Sequence, residues 1–177
     1  MKMKKIFIWS AIIVSILGTL LHFAYDWSGQ NTLVGLFTPV NESTWEHMKL
    51  IFFPTLIVNI FIWRKLHDKL PYLDSSLPVG LLIGTWLIPT LFYTYRGILG
   101  YGISAIDIGI FFISVFVTFL LAYRQAYCGF FKTWKMLLII IILLMIIGFF
   151  WFTYRPPMLG IFKDPEKVSF LHFFRYL

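Results

Sequence analysis

The densest chemistry in the chain is the run Asn41-Glu42-Ser43-Thr44-Trp45-Glu46-His47-Met48-Lys49. Glu42 and Glu46 are spaced i, i+4, so on a helix both carboxylates face one side. Ser43 and His47 share that spacing, with Asn41 and Trp45 alongside. A serine three residues before a glutamate is also a capping box that opens a helix, and the dipole favours both glutamates there. Capping accounts for Ser43 and Glu46. It does not account for His47 or for a second carboxylate. Asn41-Glu42-Ser43 also matches a glycosylation sequon, which matters only in a eukaryotic lumen.

Two further groups extend this chemistry. His22 and Asp26 are i, i+4, and Asp107 lies in a long apolar run. Zinc takes three or four nitrogen and oxygen ligands and keeps one position open when catalytic. The residues able to hold it are His22, His47, Asp107 and Asp26. Glu42, Glu46 and Ser43 are the candidates for proton transfer or attack, with either glutamate acting as base on a metal-bound water. Asn41, Trp45, Arg96 and Arg155 complete the polar set. The same histidines and carboxylates could instead be hydrogen-bonding partners that lock helices together. Of the other histidines, His67 falls on the opposite side and His172 on the tail. There is no H-E-x-x-H, G-x-S-x-G, P-loop or dinucleotide fingerprint.

The elements that must position these groups are membrane helices. The 177 residues are 59% hydrophobic and only 13% charged, against about 25% charged in soluble domains. Mean hydropathy is +0.82. That excludes a soluble enzyme, a disordered tail and a disulfide scaffold. The single Cys128 also excludes disulfide exchange. A net charge of +7 is no nucleic-acid footprint here, because the basic residues sit in short loops between apolar runs. The spacing predicts an all-α single domain of five spans, at 6–25, 45–63, 77–95, 98–123 and 136–154. Lys2, Lys4, Lys5, Arg64, Lys65, Lys69, Arg124, Lys132 and Lys135 fall on one side and Lys49, Arg96 and Arg155 on the other, with Lys163, Lys167 and Arg175 of the tail narrowing the margin without reversing it, which predicts a cytoplasmic N-terminus. Residues 33–37 are too short to cross and too apolar for a free loop, so an interfacial or re-entrant segment is expected. The tail, 168–177, is expected at the interface.

Polar residues inside a membrane are costly, so their stripes indicate which faces meet. Ser15, Thr19, His22 and Asp26 share a face of span one; His47, Thr55 and Asn59 of span two; Ser104, Asp107, Ser114 and Thr118 of span four. These three spans are expected to pack with their stripes inward. Gly80-x-x-x-Gly84 permits close packing on span three. Span five has no ionisable or amide residue and reads as a lipid-facing wall. Asp107, nine residues past the start of span four, would lie about 14 Å deep, paired with a histidine or Arg96.

His22-x-x-x-Asp26-Trp27-Ser28-Gly29, followed by Pro39-Val40-Asn41-Glu42-Ser43-Thr44-Trp45-Glu46-His47-x-Lys49, resembles the signature of a family of small prokaryotic multi-pass membrane proteins of unassigned function. Tyr154-Arg155-Pro156-Pro157 and Phe162-Lys163-Asp164-Pro165 resemble its later parts. The resemblance implies a prokaryotic cytoplasmic membrane and brings no activity. Ser43-x-x-x-His47 with a later Asp107 is also similar to the membrane hydrolases of the alkaline ceramidase and progestin/adipoQ receptor type. Those use histidines, an aspartate and a serine around zinc to hydrolyse lipid amides. This chain departs from them in having five spans rather than seven and no late His-x-x-x-His pair; His22 and His172 would have to substitute.

Three function classes follow. A zinc-dependent membrane hydrolase would bind its ion through His22, His47 and Asp107 and act on a lipid-like substrate admitted past residues 33–37. A transporter or small-molecule-binding protein would use the same groups to carry a proton or cation, and five spans would then call for a homo-oligomer or membrane partner. A structural subunit would use them only to lock helices.

Overall fold

The computed structural model describes residues 2–165, which are helical with no strand among them. The helices are α1 (Lys2–Trp27), the one-turn α2 (Thr32–Gly35), α3 (Thr44–Leu66), α4 (Leu73–Leu99), α5 (Ser104–Cys128) and α6 (Lys135–Tyr154). Short 3₁₀ turns, Lys132–Trp134 and Gly160–Phe162, flank α6. The expected tail segment, 168–177, with His172, lies outside the described residues.

Four helical stretches are long and apolar enough to cross a membrane: Met3–Trp27, Leu73–Leu99, Ser104–Cys128 and Lys132–Tyr154. The expected second span, α3, is not among them. It carries Glu46, Lys49 and Asn59, yet residues 48–55 are all buried. The first half of α3 is insulated by its neighbours and can be more polar than a helix facing lipid, whereas Ile57, Ile60, Phe61 and Trp63 farther along are exposed. α3 is therefore the axis of the bundle: α1, α4 and α6 all pack on it.

Side-chain contacts set the helix directions, antiparallel for α1 and α5 and for α3 and α4, and parallel for α4 and α6, whose first turns meet. Phe7 packs on Tyr123 and Met3 reaches Tyr127, so α1 runs against α5. Asn59 donates to the Leu77 carbonyl and Trp63 to Asp74, so α3 runs against α4. Lys135 pairs with Asp74 at this same end. The opposite end gathers His22, Glu42, His47, Arg96 and Asp107.

Two close approaches set the helix spacing. A Cβ on Gly80 would lie 2.5 Å from the Thr118 carbonyl, and one on Gly84 would overlap the Thr118 hydroxyl. The Gly80-x-x-x-Gly84 face thus seats α5 directly on α4, as its spacing predicts. At the second approach, a Cβ on Gly18 would lie 2.6 Å from the Leu50 carbonyl and 2.5 Å from the Phe111 ring. Pro54 has no N–H to give that carbonyl, so it is free to face α1. His22 lies one turn beyond Gly18 and His47 nearly one turn before Leu50. The Gly18–Leu50 contact therefore fixes how near the two histidines come.

α4 continues past the expected turn at residues 95–97 and ends at Gly100, whose φ of 78° terminates it. Asp107 accordingly sits in the first turn of α5, not deep in a span. The 33–37 segment forms α2 and the turn after it. Phe37 packs on Phe53 and Phe150, and the Tyr154 hydroxyl donates to the Thr32 carbonyl. The segment is thus a cap over α3 and α6. Nor is α6 only a wall, because Thr153 is buried against the polar residues of α3.

Candidate metal centre

His22, Glu42 and His47 converge at this end of the bundle, one ligand atom of each lying within 4.8 Å of the others. The two Nε2 atoms are 3.2 Å apart. A Glu42 carboxylate oxygen lies 3.3 Å from His47 Nε2 and 3.8 Å from His22 Nε2. Metal–nitrogen bonds of 2.0–2.1 Å in tetrahedral geometry place neighbouring ligand atoms about 3.3 Å apart. Two of the three edges match that spacing. The third would close by rotation of Glu42, whose side chain is 41% exposed.

The orientation of His47 follows from its helix start. Ser43 is the N-cap of α3, its hydroxyl accepting from the Glu46 N–H. Its carbonyl accepts from His47 Nδ1–H at 3.0 Å. That bond places the His47 proton on Nδ1 and leaves the Nε2 lone pair facing His22 and Glu42, the usual outer-shell arrangement of a metal-binding histidine. Asn41 holds the approach to the helix, its Oδ1 accepting from the Ser43 N–H. Without a metal, a His47 ring protonated on both nitrogens donates Nε2–H to Glu42 and holds that carboxyl below the usual glutamate value.

Glu46, one residue before His47, turns away from this group. It is 2% exposed and pairs with Lys49 at 2.7 Å, where Lys49 is fully buried. Lys49 Nζ also donates to the Gly35 and Thr38 carbonyls and to Thr153 Oγ1. The same Glu46 oxygen accepts from the Val40 N–H. This network ties α2, the loop before α3, and α6 to the axial helix, and so holds the loop that carries Glu42.

Asp107 also stands apart from the ligand group. Arg96 Nη2 donates to it at 2.9 Å and the Tyr95 hydroxyl donates to its other oxygen. Tyr95 in turn accepts from Arg96 Nε and from the Ile103 N–H, which clasps the end of α4 to the start of α5. Asp107 and Arg96 nevertheless line the cavity that His22, Glu42 and His47 face, a space of about 270 Å³. A second cavity of about 310 Å³, between α1 and α5, shares His22, His47 and Asp107 as its wall.

The remaining expected site residues lie elsewhere. Asp26 is exposed at the end of α1 and is not in the metal-type group. Trp45 is buried against Phe149, Phe152 and Phe162. Arg155 lies over the Trp151 ring. The structure thus brings together His22, His47 and Glu42, with Arg96 and Asp107 across the cavity. It also adds Lys49, Tyr95 and Thr153, which the sequence reading did not select. Lys49 had one visible signal, a lone cation three residues after a glutamate and running into Leu50-Ile51-Phe52-Phe53.

No curated protein and no solved structure matches the chain. Residues 1–170 match a family sequence model, and with nearly its whole length covered the chain belongs to the family of unknown function DUF6512.

Proposed function

We propose that this protein is a metal-dependent membrane hydrolase acting on a lipid-like substrate. The observation that carries the reading is the convergence of His22 Nε2, His47 Nε2 and a Glu42 oxygen at near-tetrahedral spacing on a cavity wall. Three protein ligands leave a fourth position open to that cavity, the arrangement of catalytic zinc. An ion there would acidify a bound water and polarise a carbonyl. Glu42 takes the third ligand place expected for Asp107, and Asp107, facing the same cavity, takes the proton. Glu46 acts through position: its bond to Val40 sets the loop that carries Glu42.

In this reading α3 is a fifth span sheltered by the others, with the N-terminus cytoplasmic and the site opening to the outer face of a prokaryotic cell membrane. The loop-charge asymmetry supports that orientation.

The test is elemental analysis of detergent-purified protein beside His47→Ala. About one equivalent of zinc, lost in the variant while the melting temperature is kept, supports the centre and justifies screening lipid amides and esters. No metal in either sample overturns it.

One observation favours a second reading. With its Nδ1 proton given to Ser43, His47 Nε2 can accept a proton from His22 Nε2 at 3.2 Å. A histidine pair beside a carboxylate is then a proton-carrying site of a transporter. Proton flux in liposomes that stops with His22→Ala, in protein free of metal, would select it.

A further inference from the structure

We infer that the cleft between α1 and α5 is the chain pocket of this site, and that its ligand is a single-chain amphiphile with a carboxylate head. The inference deepens the hydrolase reading, because such a fatty acid is the acid half released from an acyl ester or amide.

The two cavities meet at one wall. His22, His47, Leu50, Asp107, Ile108 and Phe111 line both. On the first side alone lie the polar Glu42, Arg96 and Ser104, beside Ile88, Phe92 and Ile110. On the second alone lie Gly18, Thr19, Phe23 and Phe112, which with Ile108 and Phe111 form an almost wholly apolar surface. An amphiphile laid across the junction would put its head in the first cavity, its chain in the second and the linking bond at the histidines. The outer lip of the cleft is open. Phe23, Ile108 and Phe112 are 49%, 60% and 46% exposed on helices that face lipid. A chain can therefore enter sideways from the membrane without crossing water. About 310 Å³ is at the low end for ligand pockets, which admits one chain and not two.

The head is specified by charge. Arg96 balances Asp107, so a divalent ion on Glu42 and two neutral histidines leaves the first cavity with one net positive charge. Arg96 spends two of its five N–H groups on Asp107 and Tyr95. Its guanidinium is held in place, 4.0 Å above the Phe92 ring and so near Gly102 that a Cβ there would lie 2.5 Å away. A fixed guanidinium beside a cation selects a planar anion, and carboxylate matches its fork.

The experiment uses the full chain in detergent with hexadecanoic acid carrying a photoreactive diazirine on its chain. Illumination and peptide mapping should place the label on residues 18–23 and 108–112. Unlabelled hexadecanoic acid should displace it and hexadecanol should not. R96Q should weaken labelling about tenfold, the loss of one charged hydrogen bond. Label spread over the lipid-facing residues of α1, α5 and α6, or hexadecanol competing as well as the acid, overturns the inference, even if zinc is bound. Label confined to the cleft but indifferent to chelator and to His47→Ala upholds the pocket and sinks the metal-dependent reading instead.

Discussion

Replacing Lys49 with Met tests the network that holds the site. Lys49 Nζ is fully buried and donates to Glu46, Thr153 and the Gly35 and Thr38 carbonyls at 2.5–3.3 Å. Methionine fills nearly the same volume, so the loss is electrostatic. It strands the Glu46 carboxylate, 2% exposed, beside two carbonyls without their donor. Breaking one half of a buried ion pair costs about 3–5 kcal/mol. At about 2–4 °C per kcal/mol for a chain of this size, the melting temperature should fall by about 6–20 °C. The assay is thermal unfolding in detergent, followed by intrinsic tryptophan fluorescence. Glu46→Gln added to Lys49→Met removes the stranded charge, so the double variant should recover part of the loss, a coupling that separate structural defects would lack. Lys49→Met melting within 2 °C of wild type, or a double variant whose losses simply add, would refute the claim that this pair anchors the loop.

Gly18→Leu should drive α1 away from Leu50 and Phe111, separate His22 from His47, and lower bound zinc well below that of wild type by elemental analysis. Ser43→Ala should cost about 1 kcal/mol of stability through the lost cap yet keep the metal, because His47 is oriented by the Ser43 carbonyl and not by its hydroxyl. Gly84→Leu should disrupt the α4–α5 contact, seen as loss of the folded monodisperse peak in gel filtration. In metal-free protein, the lowered Glu42 carboxyl contributes stability that is present above its ordinary value of 4.5 and lost as pH falls through its lowered value. The gap in melting temperature between wild type and Glu42→Gln should therefore be full at pH 6 and close towards pH 3. A gap that persists at pH 3 would show that the His47 contact does not hold Glu42 charged.

Local chemistry was legible in the sequence where near neighbours along the chain decide it. The helical membrane class follows from composition, and the start of α3 at Ser43 follows from the capping residues. The Gly80-x-x-x-Gly84 contact follows from a spacing that leaves one face without side chains. The nearness of His22, His47 and Glu42 was legible only as a set of candidates. Nothing along the chain says which carboxylate completes the pair, since Glu42, Glu46, Asp26 and Asp107 are all the right chemistry. Tertiary structure decided it by assigning the others partners: Lys49 takes Glu46, Arg96 and Tyr95 take Asp107, and Asp26 is left at the surface. The extent of α4 turned on whether Gly97 or Gly100 would adopt the left-handed turn, a choice made by the Tyr95 clasp to Ile103. The depth of Asp107 turned on the same choice. Lys49 looked like a loop cation because hydropathy scores a residue alone, whereas its burial depends on acceptors from α2, the loop after it, and α6. Composition and periodicity thus determined which surfaces are apolar and where helices begin. Which polar groups meet was decided by packing, because a buried charge is tolerated only where distant segments deliver its partners.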